Sequence, residues 1–489
     1  MNQDLKTKTL HGLFWSFLER GGQLAMQFVI SIILARLLLP SQFGLIAMLA
    51  IFMAVAQSLI DSGFGSALIQ KQDATRVDES SIFYFNITVG FVAAALLCLA
   101  APWIAAFYKT PLLVPMTRVL SLNLIINSFG TVQTSLMTKR VDFKKQMKVS
   151  MAAVFLSGGV GVAMAYLGFG VWSLVAQSLC SNLFRTVLLW MVYRWRPLLA
   201  FSYASLRGMF AYGSKLLMSG LLETVYKNIY LLVIGKVYSP ADLGFYSRAM
   251  GIAQGPVQNI QGSVSRVTFP VFALIQDEKA RLKRGVREAL KTVTLVTFPL
   301  MVGLAVCAKP LVRVILTDKW LPSVPYLQLL CVAGMLLPLQ AINLNVLKAQ
   351  GRSDLFFRLA LIKKLLAVLA IILTYRLGIV VMIYGQVVTS VIGYYINSYY
   401  TAKLIKYPIT EQILDLLPTV ALATVMGGAV FALTLTPIQS QNILLALQVI
   451  TGAILYASLC WTFKISSFVS IVEKVGPRWR QFRQTGKIT

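Results

Sequence analysis

Ionisable residues stand inside long apolar runs at Glu19, Arg20, Arg185, Glu223, Lys227 and Arg248, with Asp61 and Arg266 nearer the ends of theirs. Each such group costs ~2.5–3.5 kcal/mol to place in hydrocarbon, so it faces a polar cavity or an opposite charge. Arg20, Arg185, Lys227 and Arg248 outnumber the acids, which biases a shared cavity toward an anionic ligand. Arginine suits that task because its planar fork meets paired phosphate or carboxylate oxygens. Glu19, Asp61 and Glu223 are candidates for taking up a coupling proton or cation. Plainer roles stand beside these. Glu223 and Lys227 are four apart on one helical face and can simply pair. Arg266 can snorkel to a headgroup. Asp61 precedes Gly63-x-Gly65 and can cap that turn. Glu19 and Arg20, adjacent and so ~100° apart on a helix, are not natural mutual partners.

The elements that must position these residues follow from composition. A chain of 489 residues, 57% hydrophobic and 13% charged, with a mean hydropathy of +0.73, has more apolar surface than a water-soluble core can hide. Its apolar runs approach the ~20 residues that cross ~30 Å of hydrocarbon as helix. Transmembrane strands, which need ~10-residue segments of alternating polarity, are excluded. The first run continues past Arg36 and so reads as a span, not a cleaved leader.

The chain reads as an all-α polytopic membrane protein with fourteen spans, near 12–37, 42–60, 80–101, 114–137, 149–167, 170–193, 212–237, 243–267, 290–308, 324–346, 357–376, 378–402, 414–434 and 442–463. With the N-terminus in the cytoplasm, most of the 45 Lys and Arg fall on the inner side, notably Lys139 to Lys148, Arg194 to Arg207, Lys279 to Lys291, Lys348 to Lys364 and the tail after Lys464. The net charge of +28 is therefore a topological signal and not a nucleic-acid footprint, and both termini are expected inside. The longest outer segments, 102–115 and 309–322, carry Trp103 and Trp320, suited to the water–lipid boundary. Residues 201–210 can lie as an amphipathic helix on the inner leaflet.

A turn recurs. Leu39-Pro40-Ser41-Gln42-Phe43-Gly44 and Ser239-Pro240-Ala241-Asp242-Leu243-Gly244 each join two apolar runs, and Arg36 and Lys236 precede the prolines by four positions. This reads as duplication of a membrane-embedded half. The expected organisation is a six-helix lobe over 1–200, a second over 201–408, two added helices over 409–465 and a basic tail over 466–489.

Signals for other chemistry are weak. Cys98, Cys180, Cys307, Cys331 and Cys460 lie in apolar runs without Cys-x-x-Cys pairing, and His11 is the single histidine. Neither a metal centre nor a disulfide frame is expected. No cofactor is implied, and without a Gly-x-x-x-x-Gly-Lys-Ser/Thr sequence ATP is not the energy source. Gly158-Gly159-x-Gly161 inside a span reads as helix packing. Asn86, Asn123, Asn127, Gln177, Asn182 and Asn228 suit either sugar hydroxyls or bonds between helices.

The residues Gly12-Leu13-Phe14-Trp15-Ser16, the stretch from Ile33 to Gly44, and Asp61-Ser62-Gly63-Phe64-Gly65-Ser66-Ala67-Leu68-Ile69-Gln70 resemble the polysaccharide transport family of the multidrug/oligosaccharidyl-lipid/polysaccharide exporter superfamily. They look much like colanic-acid exporters of the Wzx type. The resemblance implies a MATE-like fold, two six-helix bundles around a central cavity plus two C-terminal helices. It also implies a flippase that moves undecaprenyl-pyrophosphate-linked oligosaccharide, for exopolysaccharide or O-antigen, across the bacterial inner membrane by alternating access. A polysaccharide polymerase, a chain-length regulator and proton or sodium coupling are implied as partners. A peptidoglycan-precursor flippase and a MATE-type drug or cation antiporter remain alternatives. A membrane enzyme is disfavoured, because the short outer loops hold no histidine and no group of catalytic side chains.

Overall fold

The structure is a computed structural model and describes residues 22–61, 64–71, 73–140, 142–470 and 473. Among them every regular element is helical. Glu19, Arg20, His11, Gly63 and the tail from 474 lie outside the described residues.

The chain divides into two compact units, Met1–Ser247 and Arg248–Thr489. In the first, α1 (Gly22–Leu37) leads into α2 (Pro40–Asp61), α3 (Phe64–Gln70) and α4 (Arg76–Tyr108). A broken helix follows, α5 (Leu113–Ser128) and α6 (Thr131–Lys139), then α7 (Phe143–Tyr166), α8 (Val171–Val192) and α9 (Tyr203–Val237). Local chemistry sets the starts. Thr75 and Asp78 form a capping box at α4, the Thr75 Oγ1 accepting from Asp78 N at 3.2 Å and the Asp78 carboxylate from Thr75 N at 2.9 Å. The tight turn after α7 makes α7 and α8 a hairpin. Gly158 meets Ile30 and Gly161 meets Gln177, so this small-residue stretch packs helices as expected. Side chains from α3, α4, α6 and α8, among them Phe64, Phe83, Leu136 and Leu189, form a core with Trp195.

α10 (Pro240–Leu274) runs from the first unit into the second, which continues with α11 (Lys279–Val306), α12 (Ala308–Leu316) and a 3₁₀ turn (Asp318–Ser323). A second broken helix, α13 (Val324–Met335) and α14 (Leu337–Ala349), precedes α15 (Ser353–Thr374), α16 (Ile379–Ile405), α17 (Ile409–Ala432) and α18 (Gln441–Thr462). A charged ladder ties α11 to α17. Lys283 meets Glu411 at 2.7 Å, Arg287 meets Asp415 at 2.5 Å and Lys291 meets Asp415 at 3.3 Å. One-turn spacing on both helices puts the opposed charges in register.

Large apolar side chains such as Trp103, Phe155, Leu369 and Trp461 are exposed, as a surface in contact with lipid requires. Ten helical stretches among the described residues are long and apolar enough to cross a membrane. The expected spans outside that set begin at undescribed residues (α1), divide into helices of 16 and 9 residues (α5 and α6), or carry internal charge (Arg248 in α10; Lys363 and Lys364 in α15).

Two local expectations are corrected. Trp320 is fully buried while Trp103 is 72% exposed; the 3₁₀ turn folds Trp320 inward, so only Trp103 suits a lipid boundary. The outer segments are largely helical, since α4 runs through Pro102 to Tyr108, and α12 with the 3₁₀ turn fills 308–323. The stretch 201–210 contributes no separate surface helix, because α9 starts at Tyr203 and runs unbroken for 35 residues.

Candidate functional site

A cavity of about 440 Å³ lies within the first unit, where the end of α2, α3, α6 and the middle of α8 meet. Its wall is polar although the helices around it are apolar. Asp61 and Gln57 come from α2, Asn127 from the end of α5, and Arg185 and Thr186 from α8. The α5–α6 break is what opens this wall: at Phe129-Gly130 the helix stops and restarts, and a Cβ at Gly130 would stand 3.2 Å from the Thr186 Oγ1.

A relay of hydrogen bonds lines one side. Asn127 Nδ2 donates to Gln57 Oε1 at 3.1 Å, and Gln57 Nε2 donates to Asp61 Oδ1 at 3.1 Å. Arg185 interacts electrostatically with Asp61, so one cavity holds both a carboxylate and a guanidinium. The described contact of Asp61 is thus with Gln57.

A hydroxyl ladder on α6 continues the lining. Thr131 Oγ1 donates to Asn127 O at 3.0 Å, Thr134 Oγ1 to Gly130 O at 2.9 Å, Ser135 Oγ to Thr131 O at 3.0 Å and Thr138 Oγ1 to Thr134 O at 2.9 Å. Each hydroxyl proton is taken by a backbone carbonyl four residues earlier, which leaves the oxygen lone pairs as acceptors. The cavity therefore offers acceptors from α6, donors from Asn127 and Arg185, and one charge of each sign. That combination can hold a hydroxyl-rich molecule carrying an anionic group.

Of the residues expected to carry function, the structure brings together Asp61 and Arg185. Glu223 and Lys227 pair with each other on α9 at 3.6 Å, with side chains 48% and 68% exposed. Arg248 belongs to the second unit, its guanidinium 5.9 Å from the Trp320 ring centroid. Asn123 and Asn182 join α5 to α8, Asn182 Nδ2 donating to Asn123 Oδ1 at 2.9 Å, and Asn228 donates to its own helix at Thr224 O; Asn127 alone of the noted amides lines the cavity. Sequence reasoning missed Gln57 and the hydroxyl ladder. Their signal is spacing: Gln57 stands one turn before Asp61, and 131, 134, 135 and 138 share one face of a helix.

A family model described as polysaccharide biosynthesis protein matches residues 33–325. The chain is 30% identical over 412 residues to the teichuronic acid biosynthesis protein TuaB of Bacillus subtilis, covering 83% of this chain and 85% of that one. It is 27% identical over 399 residues to the lipopolysaccharide biosynthesis protein WzxC of Escherichia coli, covering 80% and 81%. It is 28% identical over 365 residues to the succinoglycan biosynthesis transport protein ExoT of Rhizobium meliloti, covering 74% of each. The fold is similar to that of the lipid II flippase MurJ in an inward closed conformation, with a TM-score of 0.73 at 13% identity over 92% of this chain and 98% of that one. An inward-facing MATE transporter matches with a TM-score of 0.60 at 16% identity over 78% and 96%. The all-helical, MATE-like fold implied by the opening residues is the fold observed.

Proposed function

The chain belongs to the polysaccharide biosynthesis protein family, and from that premise we propose that it is a flippase for lipid-linked oligosaccharide in bacterial surface-polysaccharide assembly. It is a multi-pass membrane transporter and not an enzyme. The observation that carries the substrate reading is the cavity that joins Arg185 to the α6 hydroxyl ladder. A lipid-linked repeat unit is an amphiphile. Its tail stays in the bilayer, its pyrophosphate pairs with a guanidinium, and its sugar hydroxyls donate to threonine oxygens and accept from Asn127.

Undecaprenyl pyrophosphate is the carrier that fits this scheme, with alternating access across the inner membrane and both termini in the cytoplasm. Asp61 is the coupling carboxylate for a proton or sodium ion, and a polymerase with its chain-length regulator consumes the delivered unit. Arg20, Lys227 and Arg248 remain proposed as secondary contacts for the anionic head, and Glu19 and Glu223 as secondary coupling acids.

Replacing Arg185 by alanine tests the substrate reading. Loss of two charge-assisted bonds worth about 1.5 kcal/mol each lowers flux roughly a hundredfold. In a strain dependent on this gene, surface polysaccharide should disappear while membrane levels of the protein hold. Full polysaccharide at normal protein level would overturn the reading.

A further inference from the structure

We propose that the loop after α8 forms a second, separate site that holds an anionic phospholipid, its phosphodiester among Arg76, Arg140 and Arg194 and an acyl chain in the adjoining groove beside Trp190. This inference does not rest on the substrate reading.

The head pocket, of about 300 Å³, is lined by those three arginines with Glu79, Tyr193 and Trp195. Its walls are fixed. Trp195 Nε1 donates to Glu79 Oε2 at 2.5 Å, Leu198 N to Ser80 Oγ at 2.8 Å and Ser202 N to Ser81 Oγ at 2.8 Å. These bonds staple the loop along the first turns of α4. Among the described residues no acid is within ion-pair distance of the three arginines. Arg140 instead stands over the Tyr193 ring, 5.6 Å from its centroid. Glu79 is the sole acid in the lining, and its bond to Trp195 ties it to the wall, so the pocket stays net cationic.

Tyr193 is an independent pointer to a ligand. The residue is 8% exposed and its hydroxyl has no hydrogen-bond partner. Leaving a buried hydroxyl unpaired is costly, and a phosphate oxygen accepting from it removes that cost.

The groove identifies the ligand as a lipid. It measures about 430 Å³ and is lined by Ile126, Phe129, Leu183, Val187, Trp190 and Met191 with Arg196 at its rim. Arg196 joins the two cavities, donating to Tyr193 O at 3.3 Å and Trp195 O at 2.9 Å while lying 5.1 Å from the Trp190 ring centroid. Met191 is 72% exposed, so this groove opens on the outer surface of the unit. An apolar trough running into a cationic pocket matches one acyl chain and one anionic head.

Native mass spectrometry of the full chain in detergent tests the site, with dioleoyl phosphatidylglycerol, dioleoyl phosphatidylcholine and inorganic phosphate as probes. Phosphatidylglycerol should be retained in preference to phosphatidylcholine and resist displacement by phosphate. Arg140→Gln with Arg194→Gln should weaken that retention roughly a hundredfold, about one tenfold step for each charge-assisted bond lost. Tyr193→Phe should weaken it severalfold and leave the lipid-free unfolding temperature equal or higher, because the hydroxyl it removes is buried without a protein partner. Equal retention of the two lipids, or unaltered retention in the arginine variant, overturns the proposal. Displacement by phosphate makes the pocket a soluble-anion site and also overturns it. If the arginine variant does not fold, Tyr193→Phe decides alone.

Discussion

Asp61 and Arg185 reach one cavity from α2 and α8, and their opposition suits the coupling role proposed for Asp61. A carboxylate beside a guanidinium changes its hold on that cation when it binds a proton, so protonation and anion binding are linked through one pair. Asp61→Asn separates charge from shape, since the amide oxygen still accepts from Gln57. Flux measured in vesicles should fall about tenfold or more and lose its response to a proton or sodium gradient, one tenfold step being the worth of ~1.4 kcal/mol of lost linkage. A variant that keeps both the rate and the gradient response would remove Asp61 from the coupling role.

At the scale of elements, the recurring Pro-x-x-x-Gly turn has a physical reason. Pro40 and Pro240 each stand first in a helix, where a missing N–H and a fixed φ cost nothing. The starts are capped in the same register, Gln42 Oε1 accepting from Leu39 N at 2.9 Å and Asp242 Oδ2 from Ser239 N at 3.3 Å. The glycines let the two starts touch. A Cβ at Gly44 would lie 1.6 Å from Pro240 O, and one at Gly244 would lie 1.9 Å from Pro40 O. Only backbone fits there, and each copy of the motif is made for the other. Gly44→Ala should cost about 1–3 kcal/mol as an overpacked contact, read as a lower unfolding temperature in detergent. Gly244→Ala should do the same, and the double variant should cost less than the sum because both act at one crossing. A second recurrence supports the duplication. The fourth span of each expected six-span row is a broken helix, α5–α6 in the first and α13–α14 in the second.

At the scale of the whole molecule, the charge distribution predicts which ends of the helices face the cytoplasm. Lys139 and Lys348 should be inside and Lys309 outside. Single cysteines at these positions, in a background without the five native ones, should react with a membrane-impermeant maleimide from the matching side only. Labelling of Lys309→Cys from within would invert the topology and with it the direction of transport. The same experiment at the loops flanking α15 tests whether that helix crosses despite Lys363 and Lys364, and so whether the number of spans is fourteen.

Much was legible without coordinates, because the bilayer admits few solutions. Apolar length and charge asymmetry require a bundle of spanning helices, and the opening residues pointed to the family. The cost of a buried charge singled out Arg185 and Asp61, and the Pro-x-x-x-Gly repeat marked two helix starts that meet. Tertiary structure alone decided the rest. It showed that Arg185 and Asp61 share a cavity while Glu223 and Lys227 pair on α9, that Trp320 turns inward, and that α6 presents its hydroxyls as acceptors. These outcomes depend on which helix faces meet. Periodicity marks the polar face of a helix, but its neighbour is set by packing between segments far apart in the chain, where a single helix carries no record of what lies opposite.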